Sequence, residues 1–283
     1  MRLASFRTEA GPTWGLVRGD ELIDAGPQLG RQLPTLRAAL AAGALVEVGR
    51  RLAGDRATHR LDEVELLPPI VDPAKILCAG VNYPLHRLEG GLDPVGPDNP
   101  TVFTRFADSQ VGDGAPIARP PGIRELDYEG EIAVVIGAPA YRVAAAEAPR
   151  FVAGYAAYND ISVREFQRHT SQWTPGKNFL GLGAFGPWLV TPDEIGPEDS
   201  LVLTTRVNGE VVQEARLGEA IFSVAELLEY VTSFTPLAPG DVLVTGTPDG
   251  VGLATERFLE PGDVVEVEVG GVGVVRNPIV EGS

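Results

Sequence analysis

The sequence predicts an α+β protein rich in strand, with a small N-terminal α/β domain over residues 1–70 and a larger mixed β domain over residues 71–283. Three observations carry this prediction. Short β-branched runs broken by Gly and Pro recur beyond residue 70. An Ala/Leu/Arg-rich stretch with apolar spacing of three to four precedes it. Between them, Leu67-Pro68-Pro69-Ile70-Val71-Asp72-Pro73 stiffens the chain. A chain of 283 residues, 44% of them hydrophobic, can bury one large core with a small appendage.

Taken in order, Leu3 to Ala25 alternates around Gly and Asp-Glu turns, which predicts one or two short hairpins. A helix follows from Thr35 to Arg51, with Pro34-Thr35 as its start signal. Strands are expected over Lys75–Ala79, Thr101–Thr104, Glu131–Ile136, Leu201–Val207, Asp241–Thr245 and Val264–Val269. Two helices are expected among them. One covers Ser162–His169 after Asn159-Asp160, and the other Ser223–Thr232, where Ser223 and Glu226 form a capping box. Gly90 to Pro100 is too rich in Gly, Pro and Asp for regular structure and reads as a loop able to move.

Composition excludes several function classes. There are 39 acidic against 23 basic side chains, a net charge of −16, and no cluster of Lys or Arg. Such a chain repels polyphosphate and anionic lipid, so neither nucleic acid nor membrane is an expected partner. The single Cys excludes internal disulfides and cysteine-built metal sites. Met1 to Gly11 lacks the apolar run of a secretory signal, and no transmembrane run occurs, so a cytoplasmic location is expected. Gly181-Leu182-Gly183-Ala184-Phe185-Gly186 matches a dinucleotide fingerprint literally, but Pro187-Trp188-Leu189-Val190 after it reads as strand, not as the helix that would hold a pyrophosphate.

With three His and two Lys in the chain, the candidate catalysts are few. In Asp127-Tyr128-Glu129-Gly130-Glu131, residues two apart on a strand share a face, so Glu129 and Glu131 present adjacent carboxylates. Either this is a solvated strand face, or a divalent cation relieves the repulsion. Asp160, at a strand end, is a third carboxylate or a helix cap. Three carboxylates plus water would suit Mg²⁺ or Mn²⁺, with Ca²⁺ a further option. His86 and Glu89, at i and i+3, form either a base and its orienting carboxylate or a surface pair. Lys177 stands in an aromatic loop in a chain that otherwise uses Arg for nearly all its cations; it could polarise a substrate oxygen, pair with a substrate carboxylate, or be incidental. Lys75 is read as structural. Thr245-Gly246-Thr247-Pro248-Asp249-Gly250 offers N–H groups and the Thr247 hydroxyl to an anion, or is simply a tight turn.

In this order and spacing, Lys75 to Tyr83 with His86 and Glu89, the Asp127–Glu131 segment, Asn159 to Arg164, Gly176-Lys177, Gly186-Pro187-Trp188 and Thr245 to Gly252 resemble the fumarylacetoacetate hydrolase family over about residues 72–280. The resemblance implies that family's mixed β-roll, preceded by the small N-terminal domain of its bacterial branch. It implies Glu129, Glu131 and Asp160 as metal ligands, His86 and Glu89 as a water-activating dyad, and Lys177, Gln167 and Thr247 as substrate contacts. Arg105 stands where a lysine is often found, and is expected to reach a substrate carboxylate. Asn82 replaces a fourth carboxylate ligand of the founding members, and Pro84-Leu85 depart from the usual residues before the His. The implied activity is divalent-metal-dependent hydrolysis of a C–C bond in a 2,4-dioxo acid of acylpyruvate type. Decarboxylation of an oxaloacetate-type acid, or isomerisation of a dienedioate, is the alternative. The implied substrate is a small 2-oxo acid, and the implied assembly is a homodimer.

Overall fold

The computed structural model describes residues 1–282, and within them the expected β-rich architecture is present. A 12-stranded sheet carries the main path His59–Arg60, Glu21–Asp24, Gly11–Arg18, Arg2–Thr8, Gly183–Val190, Val152–Asn159, Gly130–Ile136, Val242–Val244, Ile76–Gly80 and Thr101–Arg105. A five-stranded sheet packs against one face of it, in the order Glu210–Arg216, Val202–Val207, Val264–Val269, Gly273–Glu281 and Ile117–Arg119. Arg2 and Leu3 pair with Val190 and Leu189, so the large sheet is continuous across the division expected at residue 70.

The strand Gly130–Ile136 lies at the centre and is buried on both faces, which is why it reads as an almost unbroken apolar run. Ile132, Val134 and Ile136 join a core shared with Leu203, Val265 and Val267 of the smaller sheet. Ala133 and Val135 join a second core with Leu36, Leu40, Val48 and Leu52. Each fully buried Leu, Ile or Val among them contributes roughly 1.5–3 kcal/mol.

The single helix expected over 35–51 is two, Leu36–Ala41 and Leu45–Leu52. Thr35 caps the first by accepting from the Ala38 N–H, as its position suggests. Gly43 then takes φ of 60°, and the Ala44 N–H reaches back to the Ala39 carbonyl, the bonding that ends a helix at a left-handed glycine. The helix Val224–Phe234 carries the capping box of Ser223 and Glu226. The helix expected over 162–169 is mostly absent. Ser162–Val163 pairs as strand with Leu126–Asp127, and one turn, Arg164–Gln167, remains. Asp160 caps nothing there, since the N-cap position is Val163. The segment 181–186 runs into the strand Gly183–Val190, with Pro187 and Trp188 in strand and not in a helix. Among the described residues no helix is long and apolar enough to cross a membrane.

Four central strands finish or start at one end of the large sheet. The C-termini of Ile76–Gly80, Val242–Val244 and Val152–Asn159 lie beside the N-terminus of Gly130–Ile136. The loops that leave this end build the candidate site.

Candidate active site

Glu129, Glu131 and Asp160 converge because Gly130 pairs with Asn159 across two antiparallel strands, and the Asp160 N–H donates to the Glu129 carbonyl at 2.8 Å. One oxygen from each lies within 4.8 Å of the others, and all three side chains are buried. The glycine between the two glutamates has a steric cause. A Cβ on Gly130 would stand 1.9 Å from Thr205 Oγ1 on the smaller sheet, so only Gly lets both glutamates turn the other way.

The charges here are unevenly paired. Arg164 Nη2 meets Glu129 Oε1 at 2.7 Å and Asp127 Oδ2 at 2.8 Å, and Arg105 Nη1 bonds Asp160 Oδ1. Lys177 Nζ bridges Glu129 Oε2 and Asp160 Oδ2, the latter at 2.6 Å, above the Phe103 ring. Four buried carboxylates thus face three buried cations, and Glu131 makes no ion pair among the described residues. Its Oε2 accepts only the Gly246 N–H, at 2.7 Å. Burial, then Asp160 and Glu129, push the Glu131 carboxyl well above its ordinary range. Burial acts on Glu129 the same way, but Lys177 and then Arg164 outweigh it and hold that carboxyl well down. Burial alone would lower the Lys177 ammonium, yet Asp160 and Glu129 raise it. A buried carboxylate with one neutral donor, beside two more with oxygens in reach, is a donor set that fits a divalent oxygen-seeking cation.

A cavity of about 460 Å³ is lined by Glu129 and Glu131 and also by His86 and Glu89, which share one face of the helix Pro84–Glu89. His86 Nδ1 lies 2.6 Å from Glu89 Oε1. A carboxylate only accepts, so Nδ1 carries the proton in the neutral ring and Nε2 keeps its lone pair for the cavity. Glu89 Oε2 is itself fixed, accepting the Gly250 N–H at 2.9 Å. The loop after Val244 therefore spends its amides on the site's own carboxylates, at Gly246 and Gly250, leaving the Thr247 hydroxyl toward the cavity. Thr247 Oγ1 accepts from Gln213 Nε2 at 2.8 Å, so its proton is free to donate to a ligand.

Gln167 and Lys177 also line the cavity, with Gln167 Oε1 held by Arg164 Nη1 at 2.8 Å. Gly176 lets the lysine loop approach, since a Cβ there would meet the Gln167 backbone nitrogen at 2.5 Å. Arg105 is placed differently from expectation. It does not line the cavity but lies one layer behind, fully enclosed, its guanidinium on Asp160 and on the Ile161 carbonyl at 3.1 Å. It would reach a substrate only through Asp160. Asn82 is spent on structure, exchanging bonds with Phe222 and donating to the Thr245 carbonyl at 2.9 Å. Lys75 donates to the Pro236 carbonyl, away from the cavity. Sequence reasoning assigned no role to Arg164 and Asp127. Their signal was a charge two residues before Glu129 and another four after Asp160, in segments otherwise apolar enough to be buried.

The family model described as fumarylacetoacetate (FAA) hydrolase C-terminal matches residues 75–280. Human oxaloacetate tautomerase FAHD2A, mitochondrial, is 38% identical over 293 residues, spanning 99% of this chain and 92% of the relative. Fumarylacetoacetate hydrolase from psychrophilic Exiguobacterium antarcticum superposes with a TM-score of 0.86 at 31% identity, covering 100% of both chains. Maleylpyruvate hydrolase from Sphingobium sp. SYK-6, in complex with manganese(II) ion and pyruvate, superposes with a TM-score of 0.83 at 26% identity, again over 100% of both. The matched span contains every residue of the site just described, and the chain belongs to the fumarylacetoacetate hydrolase family.

Proposed function

We propose that the chain is a divalent-metal-dependent enzyme that moves a proton at C3 of a small 2-oxo acid, interconverting keto and enol forms of an oxaloacetate-type substrate. The observation that carries this reading is one cavity lined both by a carboxylate-oriented imidazole and by Glu129 and Glu131, with Asp160 converging on these two from behind. The tautomerase named above, similar over nearly the full length of both chains, supports the substrate class. Glu129, Glu131 and Asp160 would hold Mg²⁺ or Mn²⁺, which when bound supplies Lewis-acid polarisation of the 2-oxo group.

His86 Nε2 would take the proton from C3 as the C2 carbonyl becomes an enolate oxygen, and the imidazolium would then pass that proton, directly or through water, to the oxygen to give the enol. The reverse direction runs the same transfers backwards. Glu89 keeps the ring in the tautomer this needs and stabilises the imidazolium while the proton is held. Lys177 Nζ lies close enough to the carboxylate trio to donate to the oxygen on which charge develops. Thr247 and Gln167 orient the acid.

Hydrolysis of an acylpyruvate is the second reading, and one observation favours it. Beyond His86 the cavity has an apolar wall that includes Leu92, Trp173 and Leu253, which a four-carbon dicarboxylate would not fill. There the same His86 would deprotonate water instead. The two are separated by mixing metal-loaded enzyme with enol-form oxaloacetate and, separately, with acylpyruvates, and identifying products. Faster enol decay with no cleaved product supports tautomerisation, and His86→Ala should slow it by about 10²–10⁴. Pyruvate released stoichiometrically from acylpyruvates, without acceleration of enol decay, selects hydrolysis.

A further inference from the structure

Each of the three converging carboxylates has one oxygen already claimed by a fixed protein donor. Arg105 Nη1 donates to Asp160 Oδ1 and the Gly246 N–H to Glu131 Oε2, while Arg164 Nη2 forms an ion pair with Glu129 Oε1 at 2.7 Å. The second oxygens of Asp160 and Glu129, Oδ2 and Oε2, are both held by Lys177 Nζ, which an entering cation would displace, while Glu131 Oε1 bonds no protein donor. None of the three locking donors is free to give way. Arg105 has 2% exposure, bonds the Ile161 carbonyl with the same nitrogen, and is steadied by Ser109 Oγ at 3.4 Å. Arg164 is pinned at the same time to Asp127 and Gln167. Gly246 has φ of 93° and a Cβ there would stand 2.9 Å from Asn82 Cβ, so its amide direction is fixed by the turn.

Ca²⁺ takes six to eight oxygens and commonly uses both oxygens of a carboxylate, whereas Mg²⁺ and cations of its size accept single oxygens in a near-ideal octahedron completed by water. We propose that Arg105, acting with Arg164 and the Gly246 amide, confines the three carboxylates to one-oxygen ligation and so makes the site select a small octahedral cation over Ca²⁺. Arg105 is a positioning residue in this scheme. It orients Asp160 from behind and touches neither metal nor substrate. The proposal rests on the reading of Glu129, Glu131 and Asp160 as the ligands.

The test is Mn²⁺ binding to the metal-free full-length protein, followed by electron paramagnetic resonance, with Ca²⁺ as competitor. Wild type should require at least about a tenfold excess of Ca²⁺ to displace half of the Mn²⁺. Arg105→Met should narrow that preference by about tenfold, the lower end of the effect of removing an outer-shell partner. Arg105→Lys, which restores one donor to Asp160 Oδ1, should recover most of the preference. A purely structural role would weaken both cations alike and leave their ratio unchanged. Displacement of Mn²⁺ by equimolar Ca²⁺ in wild type overturns the proposal, as does an unaltered ratio in folded Arg105→Met. Should circular dichroism show Arg105→Met unfolded, the wild-type competition and Arg105→Lys decide. Absence of any Mn²⁺ binding removes the ligand reading and the proposal with it, whereas binding without selectivity removes the proposal alone.

Discussion

Charged residues do different work at the two ends of the large sheet. In the segment 1–70 they stay in solvent, as in the pairs of Glu47 with Arg50 and Arg51, of Arg7 with Glu65 and of Arg60 with Asp62. At the candidate site Asp127, Glu129, Asp160, Arg105, Arg164 and Lys177 form one contiguous buried network, with Glu131 beside it and without a cation. The residue types are the same, and solvent access decides what they are worth. Exposed pairs exchange good hydration for modest attraction, while a buried charge that loses its partner has nothing to replace it. The first region tolerates its charges; the second is organised around them, and is one charge short in a way that a cation would complete.

The sharpest way to break this contrast is Glu131→Gln. It removes the carboxylate that no protein cation neutralises, so 2-oxo acid turnover should fall by about 10³ or more, the scale of several kcal/mol of Lewis-acid stabilisation. In the presence of a chelator the same variant should melt at or above wild type, because an uncompensated buried charge has been removed. A clear loss of chelated stability would contradict the charge accounting. Next in size is Arg164→Met. Stripping one partner from the buried network should cost about 3–5 kcal/mol in denaturant unfolding of the metal-free protein. A cost under about 1 kcal/mol would mean the network is no more important than a surface pair.

The smallest effect belongs to the N-terminal segment. The Arg51 hydrogen bond, then the charges of Arg50 and Arg51, hold the Glu47 carboxyl below its ordinary range. A carboxyl with a depressed native pKa stabilises above its ordinary pKa, and that contribution is lost as pH falls through the native value. Glu47→Gln should therefore lower the melting temperature slightly at neutral pH, and the difference from wild type should vanish in acid and in high salt. A large effect, or one that persists at low pH, would show that solvent screening does not separate the two regions.

Local signals in the sequence were enough for most elements. The β-branched runs at 131–136 and 264–269 and the Ser223–Glu226 cap are fixed by neighbours a few residues away, and the structure places strand and helix there. The same holds for the His86–Glu89 pair, since i and i+3 share a helix face. What could not be read depends on long-range packing. The exception is local: the helix over 35–51 breaks at Gly43, whose left-handed backbone lets the Ala44 N–H reach the Ala39 carbonyl, although Ala-Gly-Ala in a helical run is ambiguous by itself. The start of the segment 162–169, Ser162–Val163, is pulled into strand pairing by Leu126–Asp127, more than thirty residues earlier. Arg105 was expected to reach substrate because it stands where the family often has a lysine, and only the three-dimensional structure places Asp160 in front of it. The resemblance implied hydrolysis ahead of proton transfer, but the residues themselves did not separate the two, because both proposed reactions would call on the same His86 and the same carboxylates.

The central claim is that His86 and the carboxylate trio together labilise a proton at C3 of a 2-oxo acid. It is tested most directly by incubating metal-loaded protein with 2-oxobutanoate, which has C3 protons and no bond to hydrolyse, in heavy water and following deuterium incorporation by NMR. The account predicts catalysed exchange that stops with a chelator and in His86→Ala. A protein that demonstrably holds Mn²⁺ yet exchanges C3 no faster than buffer would contradict it.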